Sequence, residues 1–388
     1  MKSGYNEDMF SVREQKRGKV VVAMSGGVDS SVAAALLQRQ GYECIGVFMR
    51  LGHEPEEQDP SSCKADTQKP NRKGCCSVGD AADARYVAGL LGMEFYALNF
   101  RSDFGRIVDY FVQEYNAGRT PNPCVRCNEY LKFGKLARYA RALEADFVAT
   151  GHYARLGQTP TGRPAILRGA DISKDQSYVL FGVPPEELPR MLLPIGDYPK
   201  TEVREMAREM GLPVHAKPDS QEICFVPENN YFELVARRSP QSVKPGPFIG
   251  PDGTVVGEHP GHQRFTIGQR KGVGVALGYP IYVTAIDSEN NRVHLGPAEE
   301  LLSQYLVAGE VNWLDDELPN QRRCLAKVRY NSQPAPATVS VSPQRELIVQ
   351  FDEPIAAITP GQAVVCYEDS RVLGGGWIQK ISRRPPAK

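Results

Sequence analysis

Three strings in this 388-residue chain combine residue types and spacings suited to chemistry. The first is Ala23-Met24-Ser25-Gly26-Gly27-Val28-Asp29-Ser30-Ser31, which follows the apolar run Val20-Val21-Val22 and precedes Val32–Leu37. That order reads as strand, glycine turn, helix, an arrangement that turns backbone N–H groups and the positive helix end toward an anion. The two glycines let the backbone approach a phosphate closely, and Ser25, Ser30 and Ser31 add hydroxyl donors. Asp29 repels a phosphate by itself, so the role it suits is holding a Mg2+ ion that the phosphates share. The second string is Arg119-Thr120-Pro121-Asn122-Pro123-Cys124-Val125-Arg126-Cys127-Asn128. Asn122 is a good N-cap and Pro123 a good first helical residue, so Cys124 and Cys127 fall on one face of a first turn. A thiol there is biased toward nucleophilic thiolate, and Arg126 adds positive charge. The third string is Lys217-Pro218-Asp219-Ser220-Gln221-Glu222-Ile223-Cys224-Phe225-Val226-Pro227, a single cysteine in a proline-bounded polar loop.

Each string also has a plainer reading. A Gly-Gly pair alone marks an ordinary strand–helix turn. The plainer readings of the CxxC pair are a redox-inert pair or half of a zinc site; zinc wants four ligands and no second CxxC occurs, so Cys63, Cys75 and Cys76 would have to contribute. A lone cysteine such as Cys224 is most often a surface or half-buried residue. No Gly-Lys-Ser/Thr occurs, which excludes a Walker A loop. The full Ser-Gly-Gly-Val-Asp-Ser string is similar to the pyrophosphate loop of ATP pyrophosphatases, enzymes that split ATP into AMP and pyrophosphate and use AMP to activate a carbonyl oxygen.

Composition narrows the setting. The apolar and charged fractions, 41% and 24%, are those of a globular protein. No run of about 18 apolar residues exists to span a membrane, and the first 18 residues lack a signal peptide's apolar core. Lys+Arg and Asp+Glu are both 46, so a nucleic-acid partner has to be held by local basic patches. Nine cysteines without a secretion signal point to a reducing, cytoplasmic setting with thiols used for chemistry or metal.

The elements that must position the three strings follow from periodicity. Strands are expected at Val20–Met24, Cys44–Met49, Glu94–Phe100 and Phe147–Thr150. Helices are expected at Ser30–Gln40, Asp80–Leu91, Ser102–Asn116, Glu129–Leu143 and Glu202–Met210, several closed by glycine. Alternating β and α elements imply a parallel sheet with helices on both faces, and ligands then sit beyond the carboxyl ends of the strands. Residues 50–75 read as a long loop. From about Pro218 the pattern turns to short β-branched strands, Arg264–Ile267, Ile281–Ile286 and Arg292–Leu295, with a turn at Asn290-Asn291. Further strands follow near Cys324–Arg329, Ala337–Val341, Leu347–Phe351 and Ala363–Tyr367, and the tail from Arg383 reads as disordered.

Taken together the chain resembles the tRNA-specific 2-thiouridylases almost end to end. The matching strings include Gly74-Cys75-Cys76-Ser77-Val78, Ala149-Thr150-Gly151-His152-Tyr153-Ala154, Lys174-Asp175-Gln176-Ser177-Tyr178, Leu193-Pro194-Ile195-Gly196, Gly257-Glu258-His259, Phe265-Thr266-Ile267-Gly268-Gln269-Arg270-Lys271-Gly272 and Thr359-Pro360-Gly361-Gln362. The resemblance implies an α/β fold: a parallel-sheet, adenine-nucleotide hydrolase-like domain over 19–216 after a flexible leader over 1–18. A small β-rich domain with the Cys224 loop over 217–300 and a tRNA-binding β-barrel over 301–388 complete it. It implies that ATP adenylates the C2 oxygen of the wobble uridine of Glu, Gln and Lys tRNAs, and that sulfur then replaces AMP. The persulfide carrier maps to Cys224 and its partner thiol to Cys127. ATP contacts map to Ala23, Met24, Ser25, Gly26, Gly27, Val28, Asp29, Ser30, Met49 and Gly151. The target base maps near Asn122, Pro123 and Cys124. Contacts to tRNA map to His152, Lys174, Asp175, Gln176, Arg329, Tyr330 and Gln362. A sulfur-relay protein or a cysteine desulfurase is the implied donor.

One position departs from the family pattern: Cys124 stands where many members carry Asp. Cys124, Cys127 and Cys224 then supply three thiolates, the donor set of a [4Fe–4S] cluster with one open iron, and cluster and persulfide routes both stay open. Three near-helical or clustered basic groups are expected to meet phosphates: Arg126, Lys132, Lys135, Arg138 and Arg141; Arg264, Arg270 and Lys271; and Arg322, Arg323, Lys327 and Arg329. Two other functions compete. Another adenylating ATP pyrophosphatase acting on a small molecule would need neither Cys224 nor the β-rich half. A non-catalytic tRNA-binding protein would not need the intact glycine loop.

Overall fold

The computed structural model describes residues 17–52, 78–219, 223–226 and 230–384. Outside them lie most of the expected leader and of the 50–75 loop, the cysteines Cys63, Cys75 and Cys76, Ser220–Glu222, Pro227, and the tail from Pro385.

The N-terminal unit is a five-stranded, all-parallel sheet in the order β3-β2-β1-β4-β7. Its strands are β1 (Lys19–Ala23), β2 (Glu43–Arg50), β3 (Glu94–Asn99), β4 (Phe147–Ala149) and β7 (Met191–Leu192). Val20, Val21 and Val22 in its middle are fully buried, as a strand covered on both faces requires. Helices α1 (Val28–Arg39), α2 (Val78–Leu90), α3 (Arg101–Asn116) and α6 (Lys200–Glu209) cover the sheet. The chain runs outward from β1 through β2 to β3, then returns to place β4 on the other side of β1. That reversal opens a crevice at the carboxyl ends of β1 and β4, the standard ligand position in such sheets.

The expected helix over 129–143 is longer and irregular. It starts with α4 (Pro123–Arg126), widens into a π-helical stretch over Cys127–Lys135 and ends as α5 (Leu136–Ala142). Leu136 N–H donates five residues back, to Leu131 O. A Cβ on Gly134 would lie 2.8 Å from Glu129 O, so a glycine permits the widening. π-Bulges of this kind gather at functional sites.

Between β4 and β7 the chain inserts a hairpin that periodicity did not reveal, β5 (Ala154–Gln158) and β6 (Pro164–Arg168). The hairpin leaves the parallel sheet and joins the edge of the C-terminal sheet through Arg371↔Leu167. After α7 (Tyr231–Arg238), the central unit is a four-stranded sheet of β8 (Gly246–Ile249), β9 (Val255–His259), β10 (Tyr282–Asp287) and β11 (Arg292–Gly296), around a core that includes Phe248, Phe265, Val283 and Leu295. The strand expected at 264–267 is absent: a short 3-10 turn over His262–Arg264 replaces it. Phe265 and Ile267 are buried there as packing residues rather than ladder residues.

The C-terminal unit is β12 (Leu302–Trp313), β13 (Arg322–Lys327), β14 (Ala335–Val341), β15 (Leu347–Ala356), β16 (Ala363–Glu368) and β17 (Arg371–Ser382). β12 pairs with both β15 and β17, which closes the six strands into a barrel. Closure removes the exposed edges that an open sheet of this length would carry.

Candidate active site

The Ser-Gly-Gly turn lies at the carboxyl end of β1, in the crevice. Gly27 caps α1 in an extended conformation (φ −98°, ψ 170°), and no side chain bonds the helix's first N–H groups. The turn is braced from within. Ser25 N donates to Ser30 Oγ at 3.1 Å, and Ser30 Oγ and Ser31 Oγ donate to Gly27 O at 3.3 and 2.8 Å. Gly26 has φ +75°, and a Cβ on it would fall 2.2 Å from Asp80 O. Gly151, on the turn after β4, passes so close that its Cβ would lie 2.6 Å from Asp29 C and Ser30 N. Space therefore requires glycine on both walls of the crevice, and at Gly26 the positive φ requires it as well. Met49 packs, half-buried, against the main core at the end of β2.

Asp29 is held by two residues that the sequence did not single out. Lys200 Nζ donates to both carboxylate oxygens at 2.7 and 2.9 Å, and Tyr153 Oη donates at 2.7 Å. Lys200 also pairs with Asp219 (3.1 Å), which takes Lys174 Nζ (3.0 Å) and Arg204 Nη2 (2.6 Å). Burial pushes the Asp219 carboxyl up, but hydrogen bonds from Lys174 and Lys200 and the charge of Lys200 outweigh it and hold the group down at about 2. Lys217 Nζ donates to Gly26 O (3.0 Å), Asp80 (2.5 Å) and Asp83 (2.8 Å). The segment leading to Cys224 is thus tied at its start to the glycine turn. Lys217 and Asp219 lie inside the third string, so a signal was present. Nothing local marks Lys200, which opens α6 171 residues from Asp29.

Lys200 and Tyr153 thus hold the carboxylate expected to share a Mg2+ ion with the phosphates. Among the described residues no three His, Cys, Asp or Glu side chains lie close enough to hold a metal ion. The same holds for the three thiols expected to ligate a cluster. Cys124 is exposed and close enough to Tyr330 for its charge to help raise that phenol, whose chief cause is burial. Cys127 and Cys224 are instead half-buried against the apolar core. The three thiols do not form a ligand set for [4Fe–4S].

At the second string, Asn122 Oδ1 accepts Val125 N–H at 3.3 Å, so the helix starts where the capping pattern puts it. Gln362 Nε2 donates to Thr120 O and Pro121 O at 3.0 and 3.1 Å, fixing the entry loop to the barrel. Tyr330, partly exposed, faces Tyr178 edge-on at 6.1 Å, and Lys327 Nζ lies 5.5 Å from the Tyr330 ring centre. Cys124 therefore looks onto an aromatic and cationic wall of the barrel.

The remaining expected tRNA contacts have inward partners. His152 is buried, within 2.7 Å of Thr150 Oγ1 and 3.4 Å of Lys132 Nζ, and burial, then Lys132, drives its pKa well below the usual value. Asp175 is buried and accepts Gly169 N–H and Ser177 N–H and Oγ–H. Gln176 Oε1 accepts Tyr153 N–H at 2.9 Å. Arg329 donates to Ile267 O and Thr359. Several residues of the expected basic stripes are engaged by carboxylates, Arg126 in the interior and Arg141 and Arg323 at the surface. Arg126, Lys135 and Arg141 pair with Glu129 and Glu310, with Asp103, and with Glu187. Arg322 and Arg323 pair with Asp315 and Asp352. Arg264, Arg270 and Lys271 stay exposed on the central unit.

A parallel sheet with a phosphate-type glycine turn at its switch point, joined to two β units, defines a nucleotide-binding α/β protein of the HUP class. Profiles described as "tRNA methyl transferase HUP domain", "tRNA methyl transferase PRC-barrel domain" and "Aminomethyltransferase beta-barrel domain" match residues 18–228, 233–297 and 303–378. Full-length relatives carry a different activity in their names. "tRNA-specific 2-thiouridylase MnmA" of Rhodopirellula baltica is 49% identical, over 93% of this chain and 96% of that one. Proteins of the same name are 48% identical in Carboxydothermus hydrogenoformans (94% and 98%) and 48% in Moorella thermoacetica (94% and 100%). The chain belongs to the tRNA-specific 2-thiouridylase family.

Proposed function

We propose that the protein is an ATP-dependent tRNA sulfurtransferase that converts the wobble uridine of Lys, Glu and Gln tRNAs to 2-thiouridine in the cytoplasm. The uridine C2 oxygen attacks the α-phosphorus of ATP and pyrophosphate leaves, with its charge met by the N–H groups of the Gly26–Ser30 turn. Lys200 is the ammonium within reach of the same place. The terminal sulfur of a Cys224 persulfide attacks C2 and AMP departs. Cys127 then attacks the Cys224 sulfur, leaving one sulfur on the base and a Cys127–Cys224 disulfide that an external dithiol reduces. A desulfurase or relay protein reloads Cys224. Cys124, Asn122 and Pro123 border the base, and the exposed Arg264, Arg270 and Lys271 meet the tRNA backbone. In this reading residues 19–216 activate, 217–300 deliver sulfur and 301–388 seat the tRNA.

The observation that carries the reading is the glycine turn at the switch point, tied through Lys217 and Asp219 to the segment that bears Cys224. The test is mass spectrometry of nucleosides from tRNA incubated with the protein, ATP and a persulfide or sulfide source. ATP-dependent 2-thiouridine at the wobble position is expected; none under any donor overturns the reading.

A further inference from the structure

Arg126 lies between the two cysteines of the second string, yet it is buried at 6% exposure while Cys124 is exposed. Two residues along a helix is roughly 200° around it, so Arg126 leaves the turn on the side away from Cys124. Its guanidinium rests 4.0 Å from the Trp377 ring centre, with the rings of Tyr110 and Tyr130 at 5.2 and 5.5 Å. Nη1 donates to Glu129 Oε2 and Tyr130 Oη, both at 3.1 Å, and Nη2 to Glu310 Oε1 at 2.9 Å. One side chain therefore joins α3, the π-helical stretch, β12 and β17.

The barrel strand is irregular at this contact. Glu310 is a non-glycine residue at φ +46°. The pairing of β12 with β17 slips between Gly309 and Asn312, at that residue. A bulge with left-handed backbone is held only where its surroundings demand it, and here it delivers Glu310 to Arg126. A planar, two-ended cation that stacks while bonding along its edge is what the box accommodates; a point-charge ammonium cannot do both.

We propose that Arg126 is a positioning residue that sets the Cys124–Cys127 turn relative to the barrel, so that thiols on the catalytic unit meet a uridine held by tRNA seated on the β unit. The inference rests on the proposed function, and the test separates the two. Full-length wild type, Arg126→Lys and Glu310→Gln are compared in single-turnover thiolation of a tRNA transcript, with pyrophosphate release and tRNA affinity measured in parallel. Arg126→Lys is expected to slow sulfur transfer about 100-fold, the scale of a small misplacement of reacting groups. Pyrophosphate release and tRNA affinity stay within about threefold, which general unfolding would not allow. Glu310→Gln, which keeps shape and stack, is expected to slow transfer about tenfold; it decides the question if Arg126→Lys does not fold. The pH profile of Cys127 alkylation, mapped by mass spectrometry, shifts in both variants. Transfer within threefold of wild type in the folded variants, or an equal loss in all three measurements, overturns the proposal. Absence of thiolation by wild type overturns the function instead.

Discussion

Around Asp29 the site is held by charge, and around Cys124 and Cys127 it is held by rings and apolar packing. At the first end, Lys200, Lys174, Arg204 and Lys217 interleave with Asp29, Asp219, Asp80 and Asp83 in half-buried pairs. Such a lattice is rigid while occupied, yet each cation in it can exchange a carboxylate for a phosphate. At the second end one guanidinium is enclosed by three aromatic rings, and Cys127 and Cys224 pack on the core that includes Phe225, which meets Phe104 and Phe111 edge-on at 5.4 and 5.2 Å. The difference suits the two chemistries. Anion binding wants exchangeable cations and aligned N–H groups, whereas sulfur transfer wants thiols held away from water and aimed.

Substitutions can break the two ends separately. Cys224→Ser is expected to lower thiolation by about 10⁴-fold or more, the scale for loss of a nucleophile, while tRNA-dependent pyrophosphate release continues; parallel assays of the two products check it. Loss of both together would show that the ends are not separable. Asp29→Ala is expected to cut pyrophosphate release and thiolation alike by about 10³-fold and to leave tRNA binding intact in a gel-shift titration. Gly151→Ala places a methyl against the Asp29–Ser30 backbone and should destabilise the fold by about 1–3 kcal/mol, with weaker ATP binding by calorimetry.

The smallest expected effect concerns Asp219. Its folded pKa, about 2, lies below the ordinary 3.8, so its stabilisation is complete above about pH 4 and fades as pH falls through 2. Asp219→Asn should therefore cost about 1–2 kcal/mol at pH 6, allowing for solvent screening. The deficit should shrink when urea titrations are repeated at pH 3; a deficit that does not change with pH would show that Asp219 stabilises by shape rather than charge.

Elements with short-range periodicity were legible. The Val20–Val22 run, the glycine stops and the Asn122-Pro123 cap each report local backbone preferences, and the strands and helices stand there within a few residues. The β5–β6 hairpin was not, because its strands complete a sheet whose other members lie some 200 residues later, as Arg371↔Leu167 shows. The Arg264–Ile267 stretch was misread because β-branched and aromatic residues serve packing as readily as ladder pairing.

The sequence alone determined the chemistry on offer: a glycine turn for a polyphosphate, a capped pair of thiols and a third thiol in a loop. These are local matters, set by residue type and by neighbours within one helical turn. Only the tertiary structure decided which partners each group has. Lys200 reaches Asp29, Asp175 turns inward, and Arg126, read as a surface charge, becomes the buried link between helix and barrel. A charge in a sequence string has no address. Burial, and the need to satisfy every buried charge, assigns one only when distant segments close around it.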